Sequence, residues 1–240
     1  MAYQTALTIE SVIKDIDSKK YLLPSIQREF VWSTGQIEKL FDSLMRDYPI
    51  NAFLFWKVPR EKVSEFKFYE FLRDYHQKDN KHNPKANTNG TEDIIAILDG
   101  QQRMTSLYIA LKGTYAYKMS YKRWDNPAAY PKRKLYLNLL AASDDADMFY
   151  DFLFLTEEEA KNIKNDNDEY EGSFWFPVGK ILDFREESDV NDYLIDNDLN
   201  TVADKAQAKF ANKALFKLYS VIHNKQTISY YLEESTELDK

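Results

Sequence analysis

The sequence contains no cysteine and has only three histidines, six glycines and seven prolines among its 240 residues. Without cysteine the chain can form neither a disulfide framework nor a thiolate metal site. No apolar run approaches the roughly 20 residues that a bilayer-spanning helix needs, and Met1 is followed by a polar stretch instead of an apolar signal segment. These absences predict a cytoplasmic protein with no membrane partner.

What is present suffices for a large hydrophobic core. The composition is 44% hydrophobic and 15% aromatic, and no linker or internal repeat divides the chain. We therefore expect a single domain of mixed α/β (α+β) class, with a core over about residues 8–140 and an extension over 141–240 that is helical towards its end. The net charge of -7 argues against a protein that wraps duplex DNA with its whole surface.

Apolar periodicity predicts most of the elements. Thr8 caps a helix with apolar residues at helical spacing, and Ser33 with Gln36 forms a capping box for a second amphipathic helix that ends before Pro49. A third helix is predicted immediately after Asp99-Gly100, with Gly113 placed to terminate it, and a fourth over 203–224. Predicted strands cover 53–58, 94–98, 135–139 and 228–232. Residues 66–75 are ambiguous between strand and helix, 76–90 read as a long polar loop, and 144–171 as an acidic surface excursion.

The turn from strand 94–98 into the following helix is the strongest candidate site. Asp99-Gly100-Gln101-Gln102-Arg103 places helical backbone N–H groups, amide side chains and a guanidinium at the end of a buried strand, an arrangement that suits a phosphate. Gly100 would let a ligand approach the backbone closely. A purely structural alternative stays open, in which Asp99 caps the helix and Gln102 completes a capping box.

A carboxylate at Asp99 would repel a polyphosphate bound at the same helix terminus. A divalent cation between them would remove this repulsion, and Mg²⁺ commonly binds through one or two carboxylates together with substrate phosphates. We therefore predict Asp99 as a Mg²⁺ ligand.

Two further segments carry polar side chains of interest. Gln27 and Arg28 lie among apolar residues before the second helix, where they could join a phosphate site or form an ordinary surface pair with Glu29. A basic and aromatic stretch could contact nucleic acid or be a solvated surface, and the surface interpretation is preferred. Its residues are Lys118, Lys122, Arg123, Lys132, Arg133 and Lys134, interleaved with Tyr117, Tyr121, Trp124 and Tyr130.

The segments 23–32 and 97–107, in this order and separation, resemble the N-terminal domain of GmrSD-type modification-dependent restriction endonucleases. The resemblance implies a ParB/sulfiredoxin-like fold with a mixed sheet and an NTPase site for GTP, UTP or CTP with Mg²⁺. Carried over to this chain, it implies catalytic roles for Asp99, Gln101, Gln102 and Arg103. The ligand-binding residues that it implies are Gln27, Arg28, Gly100, Thr105 and Ser106.

The resemblance also implies a function in bacterial defence against phage DNA that carries modifications. The leading hypothesis is a nucleotide-hydrolysing sensor that regulates a nuclease in a following domain or partner subunit. A non-catalytic, ParB-like DNA-binding module and a protein-interaction domain are the alternatives. The chain ends before a family segment that usually follows, so we expect a fragment or a member without its effector half. None of His76, His82 and His223 lies in a nuclease pattern, and DNA cleavage by this chain alone is not expected.

Overall fold

The computed structural model describes residues 1–26, 29–88, 93–162, 173–202 and 204–234. Its strands form a six-stranded and a five-stranded sheet, with helices packed against them. The six-stranded sheet consists of β1 (Ala2–Leu7), β2 (Tyr21–Pro24), β3 (Phe53–Val58), β4 (Phe68–Tyr69), β6 (Ile94–Asp99) and β11 (Ile228–Glu233). The five-stranded sheet consists of β5 (Asp74–His76), β7 (Thr114–Ala116), β8 (Lys132–Ala142), β9 (Tyr150–Leu155) and β10 (Trp175–Pro177).

The α-helices lie between these strands along the chain. They are α1 (Ile9–Asp17), α2 (Thr34–Met45), α3 (Gln101–Lys112), α4 (Glu157–Asn162), α5 (Glu187–Asp196) and α6 (Lys205–Tyr219). Short 3-10 helices cover Arg60–Glu65, Pro127–Ala129 and Val178–Asp183, and a π-helical turn, Ser220–Asn224, follows α6. Among the described helices, none is long and apolar enough to cross a bilayer.

Both sheets are mixed, which confirms the predicted mixed α/β class. The first has the order β1-β11-β3-β6-β2-β4, in which β6 runs parallel to β2 and antiparallel to β3. The second has the order β10-β8-β7-β5, with β9 paired to the other edge of β8. The central position of β6 agrees with its uninterrupted apolar sequence, because such a strand is covered on both faces.

The first two helices follow the sequence closely. Thr8 accepts a hydrogen bond from the backbone N–H of Ser11, and Ser33 with Gln36 forms the predicted capping box. The apolar stripes of α1 and α2 are buried in the main core. That core includes residues from Ile9 to Ile228, so both the 8–140 region and the 141–240 extension contribute to it.

Three regions differ from their sequence-based assignment. The ambiguous 66–75 segment contains the short β4 and the start of β5. The polar loop is irregular over most of its described part but forms two bridges, Tyr69–Lys85 and His76–Asn80, and residues 89–90 lie outside the described residues. The acidic excursion contains β9, whose Phe152 and Phe154 are buried, so its first half is part of the core and not a surface loop.

Candidate functional site

The predicted phosphate-binding turn lies where β6 leaves the sheet and α3 begins. Gly100 has a left-handed backbone, with φ of 84°, and an added Cβ would lie 2.7 Å from Cε1 of Phe53. Both the backbone conformation and the close ring exclude other residues without rearrangement. Glycine is therefore required here by the fold, whatever ligand the turn binds.

The capping-box alternative for this turn is wrong. The N-cap of α3 is Gly100, no side chain of a described residue caps the helix, and the Asp99 side chain is 76% exposed. Because the helix begins one residue later than a cap at Asp99 requires, Gln102 occupies the second helical position instead of the third. Within the described ranges, the first N–H groups of α3 consequently lack the side-chain acceptor that a capping residue would supply.

Gln102 connects the turn to the segment before α2. Its carboxamide nitrogen donates to the carbonyl of Glu29 at 3.0 Å, and its carboxamide oxygen accepts from the N–H of Val31 at 3.0 Å. These two bonds hold the 29–31 backbone against the start of α3. The two sequence segments that carried the family resemblance are therefore in direct contact.

Gln101 points back along the strand from which the turn emerges. Its carboxamide nitrogen donates to the carbonyls of Ile97, at 2.9 Å, and Leu98, at 3.4 Å. Within the described part of the chain, no donor reaches its carboxamide oxygen. As far as the described residues are concerned, this oxygen is available to accept a hydrogen bond from a ligand or from water.

Arg103 binds the backbone before β3. Its Nη1 donates to the carbonyls of Ile50 and Asn51, the latter at 2.9 Å, and its Nη2 donates to Ala52 at 3.2 Å. The guanidinium carbon lies 4.4 Å from the ring centroid of Phe53.

The environment of Arg103 is largely buried. Its side chain is 16% exposed, and Asp99 is 3.9 Å from its Nη2. Burial lowers the pKa of Arg103, and the charge of Asp99 partly opposes this shift. A first-turn arginine at an open site would contribute little to stability, but these contacts give Arg103 a structural role.

These residues border a cleft of about 410 Å³, which we call the DGQQR cleft. It is lined by Ile26, Trp32, Leu98, Asp99, Gly100, Gln101, Gln102 and Arg103. The five motif residues thus face one common space, and Trp32 and Ile26 add an apolar wall that the motif alone did not predict. The Ile26 side chain is strongly exposed, as is that of Val31.

The other predicted ligand-binding residues are placed differently. Thr105 and Ser106 are buried, and neither borders the DGQQR cleft, so their position gives no support to a ligand-binding role. Gln27 and Arg28 lie outside the described residues. Asp99 is the one carboxylate in the cleft lining, and the described residues contain no group of three or more histidine, aspartate or glutamate side chains that could hold a metal.

The basic and aromatic stretch is only partly exposed. Arg133 is buried and stacks on the Tyr117 ring at 4.2 Å, while the Lys118 ammonium donates to the carbonyls of Met119 and Lys122. Tyr130 is also buried. Two of the ten residues of this stretch are therefore buried, two are half-buried and six are exposed. Lys132 and Lys134 are exposed, as are Tyr121 and Trp124.

Together the fold and the site define a mixed α/β domain with a ligand-sized cleft at a strand-to-helix turn. Residues 9–240 match the N-terminal domain of GmrSD restriction endonucleases, and the chain belongs to this family. Over 100 residues, 42% of the chain, it is also 33% identical to an uncharacterized protein from Methanocaldococcus jannaschii. The matched stretch is 16% of that relative's own length.

Proposed function

We propose that the DGQQR cleft binds and hydrolyses a nucleoside triphosphate, GTP, UTP or CTP, with Mg²⁺. We propose further that its occupancy regulates a nuclease on another domain or subunit of a restriction system that acts on modified phage DNA. The observation that carries the proposal is the convergence of uncapped helical N–H groups, an exposed carboxylate and a free carboxamide oxygen on one cleft. Family membership supports the restriction context.

The cleft provides groups suited to each part of a triphosphate. The first N–H groups of α3 and the helix dipole favour phosphate oxygens, and Gly100 lines the cleft at the start of this helix. The apolar wall of Trp32 and Ile26 suits a nucleobase. The volume of about 410 Å³ is within the range of small-molecule sites.

Mg²⁺ would be held by Asp99 together with phosphate oxygens. This arrangement removes the repulsion between the carboxylate and the triphosphate, and the exposure of Asp99 leaves it accessible to a hydrated ion. The ion would neutralise charge that develops on the phosphate oxygens as the terminal phosphoryl group is transferred to water.

The two glutamines divide the remaining tasks. Both polar atoms of the Gln102 side chain are engaged with Glu29 and Val31, so Gln102 fixes the cleft wall. Gln101 keeps a free carboxamide oxygen and is the better candidate to orient the attacking water. Arg103 has donors beyond those bonded to the 50–52 carbonyls, and these would add positive charge near the phosphates.

Phosphate release from GTP, UTP, CTP and ATP, with and without Mg²⁺, tests the proposal. Gln101→Ala should abolish most turnover, by about 10²-fold or more if it positions the water, and leave nucleotide binding largely intact. Gln207→Ala on α6 is the matched control and should retain turnover. Absence of hydrolysis for all four nucleotides would exclude this activity, and equal rates in both variants would exclude the role of Gln101.

The same experiment separates the proposal from a non-catalytic DNA-binding module. A DNA-binding module would bind DNA in a salt-dependent way with no nucleotide effect and would release no phosphate. A regulated sensor should instead change its affinity for DNA or for its nuclease partner when nucleotide is present.

A further inference from the structure

A second cleft, of about 740 Å³, is formed on the five-stranded sheet, and we call it the β8 cleft. Its volume is that of a small-molecule or nucleotide-sized site. The residues of its lining that matter here are Lys132, Lys134, Tyr136, Lys161, Phe174 and Trp175. None of them belongs to the DGQQR cleft.

Strand alternation explains why these side chains meet. Lys132, Lys134 and Tyr136 are two residues apart on β8 and share one face of the strand, whereas the intervening Arg133 and Leu135 are buried on the other. Strand β10 pairs antiparallel with β8, with Pro177 opposite Tyr136 and Trp175 opposite Asn138. The pairing adds Trp175 and Pro177 to the same cleft.

The rim of the β8 cleft is positively charged. Lys132 and Lys134 are exposed, and neither forms a salt bridge with any described residue. Lys161 pairs with Glu157 at 2.6 Å, and both of these also line the cleft. Among the described residues of the lining, three ammonium groups thus face one carboxylate, in a chain whose net charge is -7. A local excess of this sign attracts an anionic ligand.

The wall below this rim is aromatic. Tyr136 and Trp175 are largely buried with one side on the cleft, and Phe174 is half-buried beside them. The indole Nε1 of Trp175 is buried and has no hydrogen-bond acceptor among the described residues. Lysines above an aromatic wall are the combination that binds phosphates and unstacked bases.

We propose that the β8 cleft binds an unpaired nucleic-acid strand, with one or two nucleotides seated in it. Lys132, Lys134 and Lys161 bind the phosphates, and a base lies against the aromatic wall. A duplex fits less well, because three lysines on a concave site contact few phosphates and the rest of the chain is negative. A free nucleotide has the same chemistry as one nucleotide of a strand, and the experiment distinguishes the two sources.

The two clefts lie at opposite ends of α3. The DGQQR cleft includes Gln101 at its start, and the β8 cleft includes Thr114, two residues after its last residue, Lys112. A helix of twelve residues is about 18 Å long, so a strand bound at the β8 cleft does not occupy the triphosphate site. Strand binding at the β8 cleft does not depend on nucleotide hydrolysis at the DGQQR cleft, and it is tested without nucleoside triphosphate.

Fluorescence anisotropy with a labelled single-stranded oligothymidylate, without nucleoside triphosphate and over a salt series, tests the proposal. Lys132→Ala/Lys134→Ala should weaken binding about 10-fold or more and reduce the salt slope by roughly 1.4, since each single-strand phosphate contact contributes about 0.7. Lys209→Ala/Lys213→Ala on α6 removes the same charge elsewhere and should leave binding near wild type. Lys161→Ala, on an exposed side chain, is the second variant if the double variant does not fold.

The outcomes separate the possibilities. No binding by the wild type, equal losses in both double variants, or equal affinity for a duplex of the same length would each overturn the proposal. Competition with thymidine monophosphate identifies the source of the ligand. If the monophosphate displaces the oligonucleotide only at far higher concentration, a strand is the ligand. If it competes equally, the strand assignment is wrong and the cleft binds free nucleotides.

Discussion

The guanidinium of Arg103 lies over the ring of Phe53, and the same ring lies against Gly100. The first residues of α3 and the start of β3 are therefore packed as one unit. Arg103 extends this unit to the three carbonyls of residues 50–52. The geometry of the DGQQR cleft thus depends on a segment that lies about fifty residues earlier in the chain.

Arg103→Ala should lower the free energy of unfolding. The substitution leaves the carbonyls of residues 50–52 without their donor and removes the stack on Phe53, which together predict a loss on the order of 2 kcal/mol or more. Urea denaturation without nucleotide measures the change. Arg103→Lys, which keeps the charge but cannot reach all three carbonyls, should lose a smaller amount. An unchanged denaturation midpoint for Arg103→Ala would show that the contacts of Arg103 with residues 50–52 and Phe53 contribute nothing to stability.

Gly100→Ala should be strongly destabilising because the new Cβ overlaps the Phe53 ring and the backbone has φ of 84°. A left-handed alanine alone costs about 1–2 kcal/mol, and the overlap adds to this. Gly35→Ala in α2 is the matched control, since its Cβ would meet no atom closer than 3.9 Å. The control should be neutral or stabilise by up to about 1 kcal/mol. Equal effects at the two glycines would contradict this account of the turn.

Stability should depend on pH through Glu38. Burial beside β9 raises the pKa of Glu38 to about 7, although its carboxylate accepts a hydrogen bond from the N–H of Phe154. The folded state therefore holds this proton more tightly than the unfolded state. The contribution of this proton to the free energy of unfolding is fully present below the ordinary pKa of 4.5 and is lost as the pH rises towards about 7.

Glu38→Gln should remove this dependence and stabilise the protein at pH 8 by on the order of 1 kcal/mol, since the amide can still accept from Phe154. Denaturation at pH 5 and pH 8 gives the comparison, with the exposed Glu65→Gln as control. The assignment would be contradicted if the free energy of unfolding of the wild type rose from pH 5 to pH 8 and that of Glu38→Gln changed with pH in the same way.

Gln102→Ala should affect the cleft wall more than the chemistry. Loss of its bonds to Glu29 and Val31 frees the segment that leads to Trp32, so apparent nucleotide affinity should fall while the turnover at saturation changes less. In steady-state kinetics, Gln101→Ala should therefore lower mainly the turnover at saturation, whereas Gln102→Ala should lower mainly the apparent nucleotide affinity. If Gln102→Ala instead abolishes turnover without changing affinity, the roles of the two glutamines are reversed.

Local signals in the sequence predicted local structure well. The capping box at Ser33 and Gln36 formed as expected, but the similar spacing of Asp99 and Gln102 did not form one. The difference arises because Gly100 adopts a left-handed backbone, which delays the helix by one residue, and because the Gln102 amide binds residues 29 and 31 instead. Neither cause is visible in a five-residue pattern.

Long-range partners were the part that the sequence did not reveal. Arg103 binds backbone carbonyls, which every residue has, so no pattern of side chains in the sequence marks residues 50–52 as part of the site. Acidic composition around β9 hid the alternation of Phe152 and Phe154, which face the core. Trp32, by contrast, follows directly on the Gln27 and Arg28 motif and could have been included in the candidate site.

Calorimetric titration with a non-hydrolysable triphosphate tests the central claim most directly, on wild type, Asp99→Asn and the exposed Asp192→Asn control. The account predicts Mg²⁺-dependent binding to wild type and control. In Asp99→Asn it predicts that Mg²⁺ no longer strengthens binding, because the carboxylate that would hold the ion is absent. No binding to wild type, or the same Mg²⁺ dependence in all three proteins, would contradict a triphosphate and Mg²⁺ site at the DGQQR cleft.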